Sequence, residues 1–82
     1  MTLLSDFDQA LKKYEECTII NPKCHHAYMG LGYTYHLKFD VVTALRHYHK
    51  AHFLKNDDSI IEELIRTAME DINNSRVGFM SD

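Results

Sequence analysis

Residues 6–20 and 40–54 copy each other at an offset of about 34 residues, in order and without a gap. Asp6 falls on Asp40, Phe7 on Val41, Ala10 on Ala44 and Leu11 on Leu45; Tyr14 falls on Tyr48, Cys17 on Ala51 and Ile20 on Leu54. Within each copy the apolar members recur at three- and four-residue steps, the spacing that lines up one face of an α-helix. A period of this length holds one pair of helices with their turns. Such a unit cannot bury its apolar face alone and is stabilised by stacking on its neighbours.

The stretch between the copies supplies the other helix of the pair. It contains Tyr28-Met29-Gly30-Leu31-Gly32-Tyr33-Thr34-Tyr35. Gly32 has no side chain, so a second helix can approach it closely, and Ala44 and Ala51 do the same from the facing helix. Tyr28, Leu31, Tyr35, Tyr48 and Leu54 fill the space between. This places one helix over about residues 24–37 and the next over about 40–54, with Asp40 as the cap of the second. The earlier copy forms a helix over residues 5–20, with Ser5 as its cap and Asp8 in its first turn; Asn21-Pro22 stops this helix or starts the next. A fourth helix opens on Ser59-Ile60-Ile61-Glu62, which reads as a capping box. It carries Ile60, Ile61, Leu64, Ile65, Ala68, Met69 and Ile72, and Asn73-Asn74-Ser75 ends it. Arg66 stands where close approach would need glycine, so this helix reads as a cap with Glu63, Arg66, Glu70 and Asp71 on its wet side. The helical domain is expected over residues 1–73 (the complete repeat over 24–55, the cap over 58–73), with residues 74–82 as a mobile tail.

The aromatic–x–x–Leu-Gly–x–x–Tyr spacing followed by Ala-x-x-x-Tyr resembles the tetratricopeptide repeat family over about residues 5–72. Tyr28 stands where that family usually has Trp, Tyr48 where it has Phe, Phe39 where it has Gly and Asn56 where it has Pro. The resemblance implies an all-α solenoid of antiparallel helix pairs, about one and a half repeats plus a C-terminal capping helix. Within the family the chain is similar to the C-terminal repeats of the cell-division-cycle subunits of the anaphase-promoting complex. The shared features are Gly32-Tyr33-Thr34-Tyr35-His36-Leu37, the run from Ala44 to Ala51 with His47-Tyr48-His49, and Asp57-Asp58 opening a degenerate last helix. Those subunits are ubiquitin-ligase scaffolds, and their C-terminal repeats can enclose the extended N-terminus of a small partner. The resemblance therefore implies a protein-binding role. Its groove would be lined by His26, Met29, Gly30, Tyr33, His36 and Leu37 from one helix and by Ile60, Glu63, Leu64 and Thr67 from the last. Some members of the family clamp a terminal carboxylate with Lys and Asn. Here those places hold Met29 and Tyr33, which favours an apolar peptide or partner helix. Alternatively, Met29 and Tyr33 simply pack against the neighbouring helix.

The remaining chemistry is sparse. At 82 residues and net charge −3 there is one small domain with no basic face for nucleic acid. No apolar run has membrane-spanning length, and no basic-then-apolar leader opens the sequence. Two cysteines make no disulfide framework and favour an intracellular, reducing compartment, cytoplasmic or nuclear. The competing reading is a small metal-binding or redox module built from Cys24 and the six histidines. No Cys-x-x-Cys or His-x-x-x-His pair supports it, and His49 and His52 share a face only with each other. Cys17, in a small-residue position, is expected to be buried. No nucleophile elbow, phosphate loop or defined acid pair appears, so neither an enzyme nor a cofactor is expected. The acidic pairs Glu15-Glu16, Asp57-Asp58 and Glu62-Glu63 read as solvated surface.

The repeat register leaves the first helix without the partner that would precede it. Phe7, Leu11 and Tyr14 would each lose part of their cover, and burying one such side chain contributes about 1.5–3 kcal/mol. Two or three of these rival the roughly 5–15 kcal/mol that holds a small domain together. The expectation is that another chain, a second copy of this one, an upstream repeat or a folded-back segment 1–4 covers them.

Overall fold

A computed structural model describes the backbone of residues 3–80 and the side chains of residues 6–74. Four α-helices follow one another: α1 (Leu3–Ile20), α2 (His25–Leu37), α3 (Val41–Leu54) and α4 (Ser59–Met80). Consecutive helices pack in antiparallel fashion, an all-α arrangement of the general repeat or bundle type. The α2–α3 interface is the most extensive, α1–α2 and α3–α4 are smaller, and α2 also touches α4. Among the described residues α1 packs on α2 alone. The smallest Cα extent is 15 Å. Two helix layers with axes about 10 Å apart and a Cα radius of about 2.3 Å fill that thickness and leave no room for a third.

The core follows from small residues meeting one large one. Ala27, Leu31, Ala44, Tyr48, Ala51, Ile61 and Ala68 are buried, with Tyr35, Val41, Leu45, Leu64 and Ile65 packed around them. A methyl group built on Gly32 would lie 2.5 Å from the Tyr48 ring and 3.0 Å from the Ala44 carbonyl oxygen. The close approach expected at Gly32 is thus real, and Tyr48 occupies it. Thr34, the one buried polar side chain among the described residues, is satisfied by donating to the Gly30 carbonyl at 2.8 Å.

The turns obey local chemistry. Asn21 accepts the Lys23 amide in its side chain at 3.2 Å, and Pro22 cannot continue the α1 ladder. At the end of α2 the Phe39 amide donates to the His36 carbonyl at 3.0 Å and the Asp40 amide to the Tyr35 carbonyl at 2.9 Å. This bond pair is a Schellman closure, which needs a left-handed residue. Phe39 is that residue, with φ of 68°. Asp40 then caps α3 by accepting from the Thr43 amide at 3.3 Å, as expected.

Several expectations are corrected. α1 begins at Leu3, so Ser5 lies inside the helix and is not its cap. Asp58, not Ser59, caps α4: its carboxylate accepts from the Ile60 amide at 2.9 Å and its carbonyl from the Glu62 amide. The helix register is one residue earlier because a carboxylate competes for the same amides. α4 continues through Asn73-Asn74-Ser75 to Met80, since neither asparagine nor serine forbids helical φ and no proline intervenes. Residues 81–82, and the side chains of Val77, Phe79 and Met80 that the tail was to dock, lie outside the described residues. Cys17 is exposed, and so is Ile20 at 84%. Their counterparts Ala51 and Leu54 sit on α3, which has helices on two sides, whereas among the described residues α1 has one.

Two substitutions test this packing by urea or thermal unfolding. Gly32→Ala should lower stability by about 1–3 kcal/mol despite alanine's better helix propensity, because the buried Tyr48 ring cannot yield. Phe39→Gly should raise stability by about 1 kcal/mol by relieving the left-handed backbone. A stabilised Gly32→Ala variant would refute the close-packing account.

Candidate partner-binding surface

On α2 the buried positions Ala27, Leu31 and Thr34 face inward, and the groove candidates occupy the neighbouring stripe. Tyr33 is 52% and Leu37 46% exposed, four residues apart. His26 is exposed with its ring 4.1 Å from that of His25, and Met29 is half-buried. On α4, Ile60 is 61% exposed and lines a shallow hollow with Ser59, Glu63 and Leu64; Thr67 is exposed further along. Glu63 is ion-paired with Arg66 on the same helix. α2 and α4 touch each other.

Two candidates face elsewhere. Gly30 lies beneath Tyr14 of α1: a methyl there would be 2.4 Å from the ring carbon that carries the phenol oxygen. That contact accounts for half-buried Tyr14, while Phe7 and Leu11 are also half-buried along α1. His36 joins three helices. Its Nε2 is 2.6 Å from Asp71 Oδ2 on α4, and its Nδ1 is 3.3 Å from the Tyr48 hydroxyl on α3. In the neutral ring, Nε2–H donates to the carboxylate and the phenol donates to Nδ1, an assignment that satisfies all three groups. Asp71, expected to be merely wet, is thereby a tie point for α4.

Histidine and carboxylate meet twice more at α4. His25 Nε2 is 3.9 Å from Asp58 and His52 Nε2 is 3.7 Å from Glu62. Each contact is a pair. Among the described residues no group of three or more His, Cys, Asp or Glu side chains converges on a point where a metal could sit. Cys24 immediately precedes α2 and makes no capping hydrogen bond with its side chain. No helix among the described residues is long and apolar enough to cross a membrane.

A larger concavity, about 840 Å³, opens between the α2–α3 turn and the far half of α4. Phe39, Asp40, Val41 and Val42 line one wall, Asp71, Ile72 and Asn74 the other, with His36 at the junction. The sequence held a signal for it. Phe39 occupies a turn position suited to glycine, and the side chain that results is 91% exposed.

The Tyr48 phenol is pushed up to about 12, first by burial and second by the nearby Tyr33 phenol. In an unfolded chain it ionises near pH 10. A raised pKa favours the folded form below pH 10 and forfeits that advantage as pH climbs toward 12. Thermal unfolding should therefore show a steeper fall in melting temperature over about pH 10–12 for the wild type than for Tyr48→Phe. Identical alkaline profiles would remove Tyr48 from this role.

No protein-family model matches the chain, and no curated protein matches it either.

Proposed function

We propose that the chain is a protein-interaction and scaffolding module of tetratricopeptide type, binding an extended peptide or partner helix across α2 and α4. The observation that carries this reading is the exposed apolar stripe of Tyr33, Leu37 and Ile60 on two touching helices. Apolar side chains left open on a helix face give a partner surface to bury. Support also comes from the 34-residue internal copy and the glycine-mediated helix contact, both of which suit a repeat of this family. Met29, His26 and Glu63 flank the stripe and supply its polar points. The narrower reading is a subunit or piece of the anaphase-promoting complex ubiquitin ligase, on the strength of the resemblance around Gly32–Leu37 and Ala44–Ala51. The half-buried Phe7 and Leu11 on α1, with Ile19 and Ile20 open beyond them, favour self-association as a secondary property.

Co-purification from the source cell followed by mass spectrometry tests the reading. A partner bound through the stripe should fall at least tenfold in recovery with Tyr33→Ala plus Leu37→Ala, since each truncation removes a buried contact of about 1.5–3 kcal/mol. Recovery of ubiquitin-ligase subunits would support the narrower identity, and recovery unaffected by the double variant would exclude this surface. For self-association, light scattering should give a mass above the monomer that Leu11→Asp reduces. A strictly monomeric wild type would end that part of the proposal.

A further inference from the structure

Phe39 is anomalous twice over. Its backbone sits in the left-handed region at φ of 68°, where glycine is favoured, and its ring is 91% exposed. Both features disfavour phenylalanine in the isolated chain, and both occur at the rim of the 840 Å³ concavity. An outlier kept where a simpler residue would do is a reason to look for a function there. The ring is continued by exposed Val42 and by Val41 and Ile72 deeper in, so the floor is apolar.

The rim is acidic. Asp40 and Asp71 stand on opposite walls, and among the described residues the lining contains no lysine or arginine. Each carboxylate uses one oxygen internally, Asp40 for the Thr43 amide and Asp71 for His36. Their other oxygens have no partner among the described residues. Lys38, the cation adjoining in sequence, is turned away, 4.0 Å from Asp8 of α1 and over the Tyr35 ring. An apolar floor between two carboxylates is complementary to one kind of occupant, an apolar side chain with a cation beside it.

We infer that this concavity is a second docking surface, for a protein segment presenting an aromatic or branched apolar side chain next to a lysine or arginine. It is separate from the stripe of Tyr33, Leu37 and Ile60 and does not depend on that stripe being used.

The test is a random peptide library displayed on phage, panned against the full chain, with the selected peptides then measured by fluorescence anisotropy. The selected peptides should pair an apolar residue with a basic one. Phe39→Gly should weaken them at least tenfold while the protein melts no lower than the wild type, so lost binding cannot be read as lost folding. Asp40→Asn with Asp71→Asn keeps the cap and the His36 acceptor but removes the charge. It should weaken binding several-fold and flatten its dependence on salt. Tyr33→Asp should leave these peptides bound. Failure to enrich any peptide, undiminished binding to Phe39→Gly, or loss of binding in Tyr33→Asp alone would each overturn the inference; the last would leave the stripe as the binding surface.

Discussion

The contact between Gly32 and the Tyr48 ring holds the molecule together. It fixes how near α2 and α3 can lie, and with them the depth at which Tyr48 is buried. Once the ring is buried its hydroxyl needs a partner, because an unsatisfied buried donor costs about 1–3 kcal/mol. His36 supplies one from α2, and the other nitrogen of the same imidazole reaches Asp71 on α4. One missing side chain on α2 thus determines an interior tyrosine, a histidine bridge and the seat of the last helix.

Small residues do comparable work elsewhere. Ala44 and Ala51 on α3 and Ala68 on α4 are buried and let backbones approach. Gly30 admits the Tyr14 ring from α1 in the same manner. The two glycine contacts repeat the internal copy in the sequence, since Tyr14 and Tyr48 are counterparts. They differ in mechanical character. Tyr48 is enclosed on all sides, whereas Tyr14 is half-buried and its far end can shift.

Much of this was legible from residue spacing alone. The helices, the glycine approach and the Asp40 cap follow from local rules with few competitors. Helix ends were less legible where two residues could serve: Asp58 outcompetes Ser59, and Asn73-Asn74 permits helix as readily as it stops one. Cys17 was misjudged because its environment depends on a neighbour that its own sequence cannot report. Of the surface candidates named from the family resemblance, Tyr33, Leu37 and Ile60 are exposed, while His36 and Gly30 are taken up by internal contacts. The concavity beside Phe39 was harder to foresee. Phe39 at a glycine-suited turn marks the place, but the opening depends on how far α4 runs past the α2–α3 turn, a tertiary fact.

Among the described residues α1 is attached to α2 alone, and this has a consequence for how the chain comes apart. A helix held along one seam can peel away without disturbing the rest, while α3 is gripped from both sides. Opening should therefore be directional, with the leading helix unzipping first and the Tyr48 cluster last. In such a molecule the leading helix acts as a hinged flap, whose attachment sets how often the face of α2 beneath Tyr14 meets water.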